Sequence, residues 1–372
     1  MRKLCLVTTT PFIANALLRP HLLALASRYE LTLALNMNDG YALDPRIAAA
    51  VQVLHVPIQR RITPLRDLVA LRSLIRVLVA GRFDAVHSVA PKAGLLAMMA
   101  GVAAHVPVRI HTFQGEVWAS RQGLARSILK AIDRVVGRLA THVLVVSRGE
   151  QAFLEGQGIL LPGRSTVLGA GSIAGVDIDR FRPDDDARNS VRGELGGGDA
   201  DLLVMYVGRI AEDKGVLDLA RAFAAFLAGH PKSRLVFVGP DEGRLQGRLE
   251  RESGRLHFTG YTATPERYLA AADIVCLPSY REGFGVALIE AGACGVPVVA
   301  ARLYGTRDAV VEGVTGLFHE PRDVQDLERC LGTLADDPEL RRRMGRAGRG
   351  RVAAQFRQET LVQALLDYYS RL

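Results

Sequence analysis

Aromatic residues are scarce in this chain of 372 residues: Phe, Tyr and Trp together make 6%, with one tryptophan, Trp118. No helix-turn-helix, zinc-finger or aromatic RNA-binding signature is present, which excludes nucleic acid as a partner. Cysteine is also rare. Cys5, Cys276, Cys294 and Cys330 are scattered without metal-like spacing, and Cys5 and Cys276 sit in apolar, strand-like runs. They are read as buried free thiols, a usage that suits a reducing cytoplasm. Long apolar runs are missing as well. The uncharged stretch Gly94–Val108 has 15 residues and contains His105 and Pro107, short of the ~20 apolar residues that span a bilayer. The N-terminal run MRKLCLVTTTPFIA mimics a secretory leader, yet Thr8, Thr9, Thr10 and Pro11 interrupt it and no small-residue cleavage site follows. Leu4–Val7 is therefore expected to be a buried first strand. No Asp-x-Asp element stands at a strand end: Asp177 and Asp179 precede a linker, and Asp184–Asp186 lie within it.

What is present points to two ordinary globular α/β domains. The length exceeds what one core usually serves, and 49% hydrophobic with 23% charged residues is the balance of a folded protein. The net charge of +8 is uneven: residues 1–175 hold 20 Lys and Arg against 9 Asp and Glu, and the remainder holds 27 against 30. A basic half without nucleic-acid signatures points to a membrane surface or a phosphate-bearing ligand. Short Val/Ile/Leu runs bounded by Gly and Pro alternate with helical patterns. Leu4–Val7, Leu31–Leu35, Ala85–Ser88, Val108–Thr112 and Val143–Val146 form one series. Leu203–Val207, Leu235–Val238, Leu256–Thr259, Ile274–Leu277 and Val298–Ala300 form another. Such runs are typical of parallel strands covered on both faces. The rhythm breaks between about Ile178 and Asp201, where Pro183, the Asp184–Asp186 run and Gly196–Gly198 suggest a linker. Two doubly wound halves on such a linker would bind ligand at the carboxyl ends of their strands.

Three segments carry candidate chemistry. Gly169, Gly171 and Gly175 follow a strand in dinucleotide-fingerprint fashion, but Val176–Pro183 has no helical periodicity, so the fingerprint is a decoy. Gly208-Arg209-Ile210-Ala211-Glu212-Asp213-Lys214-Gly215 lies between a strand and a helix beginning near Val216. Two cations at such a turn, beside a helix N-terminus, can hold a diphosphate; alone, the segment reads equally well as a solvated loop. Ser279 to Ala291 follows the strand Ile274–Leu277. Its glycines Gly283 and Gly285 admit close backbone approach, and Glu282 and Glu290 stand eight residues apart. On a helix that is roughly 12 Å of rise, matching the span from hexose to ribose in a nucleotide sugar.

On these residues the chain resembles the retaining glycosyltransferases of the large GT4 family, which have the GT-B fold: two Rossmann-like, doubly wound parallel-sheet domains facing across a cleft. Arg209 and Lys214 match the family's phosphate-binding pair, and Glu282 and Glu290 its glutamate–seven–glutamate motif. Gly175-Val176-Asp177-Ile178-Asp179-Arg180-Phe181 matches before the linker. The resemblance covers essentially the full length. It implies an acceptor-side domain over 1–176, a donor domain with linker over 177–353, and a terminal helix, 354–372, crossing back to the first. Ile62-Thr63-Pro64-Leu65-Arg66-Asp67-Leu68 and Asp84 to Gly94 resemble the branch that builds capsules and O-antigens on a polyprenyl diphosphate. That branch commonly has His-Gly after its next strand, whereas this chain has Phe113-Gln114-Gly115-Glu116-Val117-Trp118. Gln114 then takes the place of a sugar-contacting His; it hydrogen-bonds but carries no titrating proton.

The resemblance implies metal-independent transfer of a hexose or N-acetylhexosamine, first of all from a UDP-sugar, with retention of configuration. Arg209 and Lys214 would stabilise the leaving diphosphate, and Glu282 would hold sugar hydroxyls. Glu290 would take the ribose diol, while Gly208 and the backbone of Gly283, Phe284 and Gly285 would bind sugar and diphosphate. The backbone near Gly260 would read the base, and domain closure would exclude water. No cofactor or metal is implied, since the nucleotide sugar is a substrate. Lys92, Gly115 and Glu116 are the acceptor-side candidates. The implied place is the cytoplasmic face of the plasma membrane, where Arg60, Arg61, Arg66, Arg72, Arg76 and Arg82 around an apolar helix would rest on anionic lipid. Two other readings share these residues: a nucleotide-sugar 2-epimerase of the same fold, which would act without an acceptor, and a non-catalytic sugar-nucleotide binding protein, which any sugar transfer would exclude.

Overall fold

The computed structural model describes residues 2–59, 63–196 and 202–372. Of the sequence expectations, Arg60, Arg61, Ile62, Gly197, Gly198 and Asp201 lie outside the described residues. The chain divides into two compact units, Met1–Ala174 with Glu359–Leu372, and Gly175–Gln358.

The first unit is built on a seven-stranded parallel sheet. Its strands are β1 (Lys3–Val7), β2 (Glu30–Leu35), β3 (Gln52–His55), β4 (Ala85–Val89), β5 (Val108–Phe113), β6 (His142–Val145) and β7 (Ser165–Val167), in the order β3-β2-β1-β4-β5-β6-β7. The central strands are apolar at successive positions because both faces are covered. Cys5 and Val7 point into a core shared with the helices Pro64–Gly81, Pro91–Ala103 and Gly123–Leu139, while Leu4 and Leu6 point into the opposite core. That second core includes Leu365, Leu366 and Tyr369 of the C-terminal helix Gln358–Ser370. The Tyr369 hydroxyl sits 2.6 Å from Nδ1 of buried His87, and the other ring nitrogen of His87 pairs with Thr112 at 2.7 Å. The chain's last helix is thus part of this unit's interior.

The second unit carries a six-stranded parallel sheet: β8 (Leu203–Val207), β9 (Arg234–Val238), β10 (Leu256–Gly260), β11 (Ile274–Leu277), β12 (Val298–Ala301) and β13 (Gly316–His319), in the order β10-β9-β8-β11-β12-β13. Chain order reverses between β8 and β11. At such a switch point the loops leaving neighbouring strands diverge to opposite faces and open a crevice at the carboxyl ends.

The expected linker contains structure. Asp184 accepts a hydrogen bond from the backbone N–H of Ala187 and caps a helix over Asp185–Glu194, whose first turn holds Asp185 and Asp186. The acidic run that reads as a solvated breaker is therefore an N-terminal cap with carboxylates facing the positive end of the helix dipole. Arg188 and Arg192 of this helix both reach Asp273, at 2.6 and 2.5 Å. Asp273 also accepts from the Leu203 N–H at 2.8 Å, which fixes the helix beside the start of β8. The strands β3, β7 and β13 are additions to the expected set; β3 and β7 are the partly exposed edges of their sheet, too short and mixed to give a clear pattern.

Candidate functional site

The carboxyl ends of β8 and β11 bring most donor-side candidates together. After β8 the chain passes Gly208 and Arg209, turns through a short 3₁₀ segment, Glu212–Lys214, and enters the helix Val216–Phe226 at Gly215. After β11 it passes Pro278 and Ser279, runs through Glu282–Gly285 and enters the helix Val286–Ala293. Lys214 Nζ donates to Glu282 Oε1 at 2.6 Å, and the Ser279 hydroxyl donates to the same oxygen at 2.8 Å. Both partners of the Lys214–Glu282 pair are more than four-fifths buried. Arg209 turns to Glu242, in the loop after β9, at 3.0 Å. Its carbonyl is held by the hydroxyl of buried Tyr206 at 2.6 Å. In this state each candidate phosphate-binding cation is matched by a carboxylate.

Two glycines make the loop pairing sterically possible. Gly215 has φ of +67°, and a Cβ there would lie 2.0 Å from the Pro278 carbonyl oxygen. At Gly305, before the helix Thr306–Ala309, a Cβ would lie 2.3 Å from the Glu282 carbonyl oxygen. Gly305 thus forms the floor beneath the Glu282–Gly283 loop.

The helical spacing expected for the two glutamates does not apply as drawn. Glu282 lies in the loop, four residues before the helix starts, and only Glu290 is on the helix. The loop is needed because Gly285 adopts φ of +88° at the helix entry, a left-handed conformation that glycine takes at little cost. Phe284 is buried edge-on against Phe356, with centroids 5.4 Å apart, so only its backbone faces outward chemistry. Glu290 is partly buried, and burial pushes its carboxyl up to about 7, against the pull of Arg180 and with the help of Glu266. Arg180 in turn pairs with Glu266 at 2.7 Å. Gly260 ends β10 with φ of +68° and its carbonyl accepts from Gly239 N–H at 3.0 Å.

The first-unit candidates occupy their own strand ends. Gln114 is partly buried directly after β5. The Gly115 N–H donates to Glu150 Oε1 at 2.5 Å, and Val146 N–H to Glu150 Oε2 at 2.9 Å. Glu116, expected on the acceptor side, is instead 1% exposed and faces Glu150, whose carboxyl is raised well above the ordinary range by burial and by Glu116. A carboxylate so enclosed shapes the turn and is not presented to a ligand. Lys92, the other charged acceptor-side candidate, is the second residue of the helix Pro91–Ala103 and is paired with Asp67 at 2.6 Å. Gly94 lies inside that helix, where a Cβ would meet the His111 ring at 2.4 Å.

A model of the group 1 glycosyl transferases matches residues 188–351, and one of the glycosyl transferase 4-like domain matches residues 13–171. The capsular polysaccharide biosynthesis glycosyltransferase CapM of Staphylococcus aureus is 27% identical over 86% of this chain and 85% of its own length. A D-inositol 3-phosphate glycosyltransferase of Kribbella flavida is 30% identical over 72% of this chain and 66% of its own. The sucrose-phosphate synthase of Thermosynechococcus elongatus superposes with a TM-score of 0.83 at 22% identity, covering 100% of this chain and 99% of that one. HepE of Anabaena, solved with UDP and glucose, gives a TM-score of 0.80 at 20% identity, with all of both chains covered.

The chain belongs to the GT-B glycosyltransferases.

Several residues of the candidate site escape a reading of the sequence. Glu242, Asp213, Tyr280, Arg281 and Gly305 all contact the two loops. Asp213 and Arg281 stand inside the two motifs, where their charge was the available signal. Nothing local marks Glu242 or Gly305, since their contacts join segments distant in the chain; Arg209 and Glu242 lie 33 residues apart.

Proposed function

We propose that this glycosyltransferase transfers a hexose or N-acetylhexosamine from a nucleoside diphosphate sugar, with UDP as the carrier, to a saccharide on a polyprenyl diphosphate. Transfer retains the donor's anomeric configuration, and the product enters a bacterial surface polysaccharide. The observation that carries the donor assignment is the Lys214–Glu282 pair at 2.6 Å, with Arg209 on the same loop, at the switch point of the second sheet. A diphosphate arriving there exchanges carboxylate partners for phosphate oxygens. Lys214 and Arg209 then neutralise the charge that builds on the leaving group, with no divalent metal in that role. Glu282, released from Lys214, is free to accept sugar hydroxyls, and Glu290 accepts from the ribose diol. The exposed Gly260 turn lies beside β9 for the base. The similarity to CapM, a capsular polysaccharide enzyme, and the UDP and glucose in HepE support the choice of acceptor class and carrier.

The acceptor's anionic, lipid-borne head suits the basic first unit. Lys92 is proposed to contact that head after giving up Asp67. The enzyme would work as a peripheral protein at the inner face of the plasma membrane.

The test is turnover of purified variants. Arg209→Ala and Lys214→Ala should each lower sugar transfer by about 10²-fold while melting like the parent, and transfer by the parent should persist in EDTA. Near-normal transfer in either variant would sink the donor assignment. Epimerisation of a UDP-sugar in the absence of acceptor would favour the isomerase of the same fold.

A further inference from the structure

The two loops of the proposed donor site are joined by contacts besides the Lys214–Glu282 pair. Arg281 Nη2 donates to Asp213 Oδ2 at 2.8 Å. The next residue back ties the same loops twice. The Tyr280 N–H donates to the Asp213 carbonyl at 3.0 Å, and the Tyr280 hydroxyl donates to Asp218 Oδ2, in the first turn of the helix Val216–Phe226, at 2.7 Å. Arg322, from the loop after β13, lays its guanidinium 3.9 Å from the centre of the Tyr280 ring.

We propose that Arg281 and Tyr280, through Asp213 and Asp218, are positioning residues for the donor diphosphate, holding the Arg209–Lys214 loop and the Glu282 loop in register. The proposal rests on the donor-site reading above. The Lys214–Glu282 pair cannot do this work during a catalytic cycle, because the diphosphate claims Lys214 and the sugar claims Glu282. When that pair opens, the loops lose a direct link at the moment their spacing matters most. Asp213, Arg281, Tyr280 and Asp218 are not claimed, so their contacts persist with donor bound. The geometry fits such a role. The Asp213 carboxylate is bound one residue from Lys214, so its ion pair to Arg281 fixes the backbone that aims the lysine. Both side chains are at least about 70% buried, which places the pair above the near-zero value of exposed ion pairs. Although burial opposes it, Arg281, Lys214 and Arg209 hold Asp213 below the usual carboxylate range, so it stays ionised. Tyr280, pushed up to about 12 by burial and by its bond to Asp218, stays a donor.

The experiment measures calorimetric affinity for UDP and for uridine in Arg281→Ala, Tyr280→Phe, Asp218→Asn, the Tyr280→Phe/Asp218→Asn double variant and the charge-swapped Asp213→Arg/Arg281→Asp. Arg209→Ala serves as reference. Arg281→Ala should bind UDP about 10-fold more weakly, and Tyr280→Phe roughly 3- to 10-fold more weakly, as expected for one lost hydrogen bond. Uridine, which lacks the phosphates, should bind all of them alike. The double variant should be no worse than its singles, and the charge swap should recover part of the Arg281→Ala loss. A general structural defect would weaken uridine and UDP together and would overturn the proposal. So would parent-like UDP affinity in Arg281→Ala and Tyr280→Phe while Arg209→Ala is weakened. Tyr280→Phe removes a single oxygen, so it reports even if Arg281→Ala fails to fold. Parent-like UDP binding by Arg209→Ala would instead bring down the donor-site reading, and this proposal with it.

Discussion

Glu290 carries a titration that the proposed donor contact must couple to. Its carboxyl stands at about 7 in this structure, raised by burial above the ordinary 4.5. The ionised carboxylate accepts the two hydroxyls of a ribose diol on both oxygens, better than the protonated form does, so donor binding favours loss of the proton. Donor affinity should then be constant above pH 7 and fall up to tenfold per unit below it, with proton release into the buffer on binding at pH 6. Calorimetry in two buffers of different ionisation enthalpy checks both, and Glu290→Gln should flatten the profile. Stability runs the opposite way. The folded-state value is raised, so the folded form holds its proton more tightly; the stability is full below about pH 4.5 and is lost as pH rises through 7. At pH 8 the ionised carboxylate therefore opposes folding, and Glu290→Gln should melt higher by the equivalent of about 1–3 kcal/mol. A Gln variant that melts lower at pH 8 would show a carboxylate satisfied by its surroundings. The identity of Glu290 as a site candidate was legible in its spacing from Glu282. Its ionisation was not, because that depends on burial in the folded unit and then on Arg180 and Glu266, which come from other parts of the chain.

At the scale of elements, the alternation of apolar runs and helical patterns was enough to reach two parallel sheets, because a strand buried on both faces needs apolar residues at successive positions. The helix Asp185–Glu194 stayed hidden because its stability lies in tertiary pairing of Arg188 and Arg192 with Asp273 and in a cap, not in an apolar stripe. The same reason hides the loop contacts of the donor site, and Gly305 above all. Its φ of −80° is open to any residue, so the requirement for glycine comes wholly from the backbone of Glu282 and Gly283 above it. Gly305→Ala must push that backbone by something near an ångström. A displacement of that size in a positioning loop costs about 10²-fold in turnover, so kcat/KM should fall at least tenfold while melting drops by no more than ~2 kcal/mol. Gly215→Ala differs in kind. It combines a left-handed φ with a 2.0 Å approach to a carbonyl, so it should lose stability as well as activity. Parallel thermal melts and steady-state kinetics on the two variants separate these outcomes, and equal activity of Gly305→Ala and the parent would remove the floor role.

For the whole molecule, apolar and basic side chains gather on the same helices. Among the described residues, nine of the fourteen exposed large hydrophobics lie on the helices Pro64–Gly81, Pro91–Ala103 and Gly123–Leu139, including Leu65 at 83% and Leu124 at 76% exposure. These helices pack on one common core of the first unit. Their two acidic residues are withheld from solvent charge: Asp67 is paired with Lys92, and Asp133 is buried against the Trp118 indole at 2.7 Å. Arg66, Arg72, Arg76, Arg126, Lys130, Arg134 and Arg138 remain as the charge of this layer. No helix among the described residues is long and apolar enough to cross a membrane. Apolar side chains beside cations are what an interfacial surface presents to anionic lipid. Each cation near the leaflet contributes ~1 kcal/mol and weakens with salt, whereas each inserted Leu or Ile side chain contributes ~1.5–3 kcal/mol if fully buried and does not. The two contributions are separable by sedimentation with phosphatidylglycerol and phosphatidylcholine vesicles at low and high salt. The parent should bind phosphatidylglycerol vesicles and lose at least tenfold in affinity at high salt. Arg72→Glu/Arg76→Glu should lose binding at low salt, and Leu124→Ser/Ile128→Ser should lose the residual binding that survives salt. Equal indifference to both lipids at low salt would make these arginines ordinary solvated charge. The proposed lipid-borne acceptor would then have to reach the enzyme without the bilayer as a shared platform.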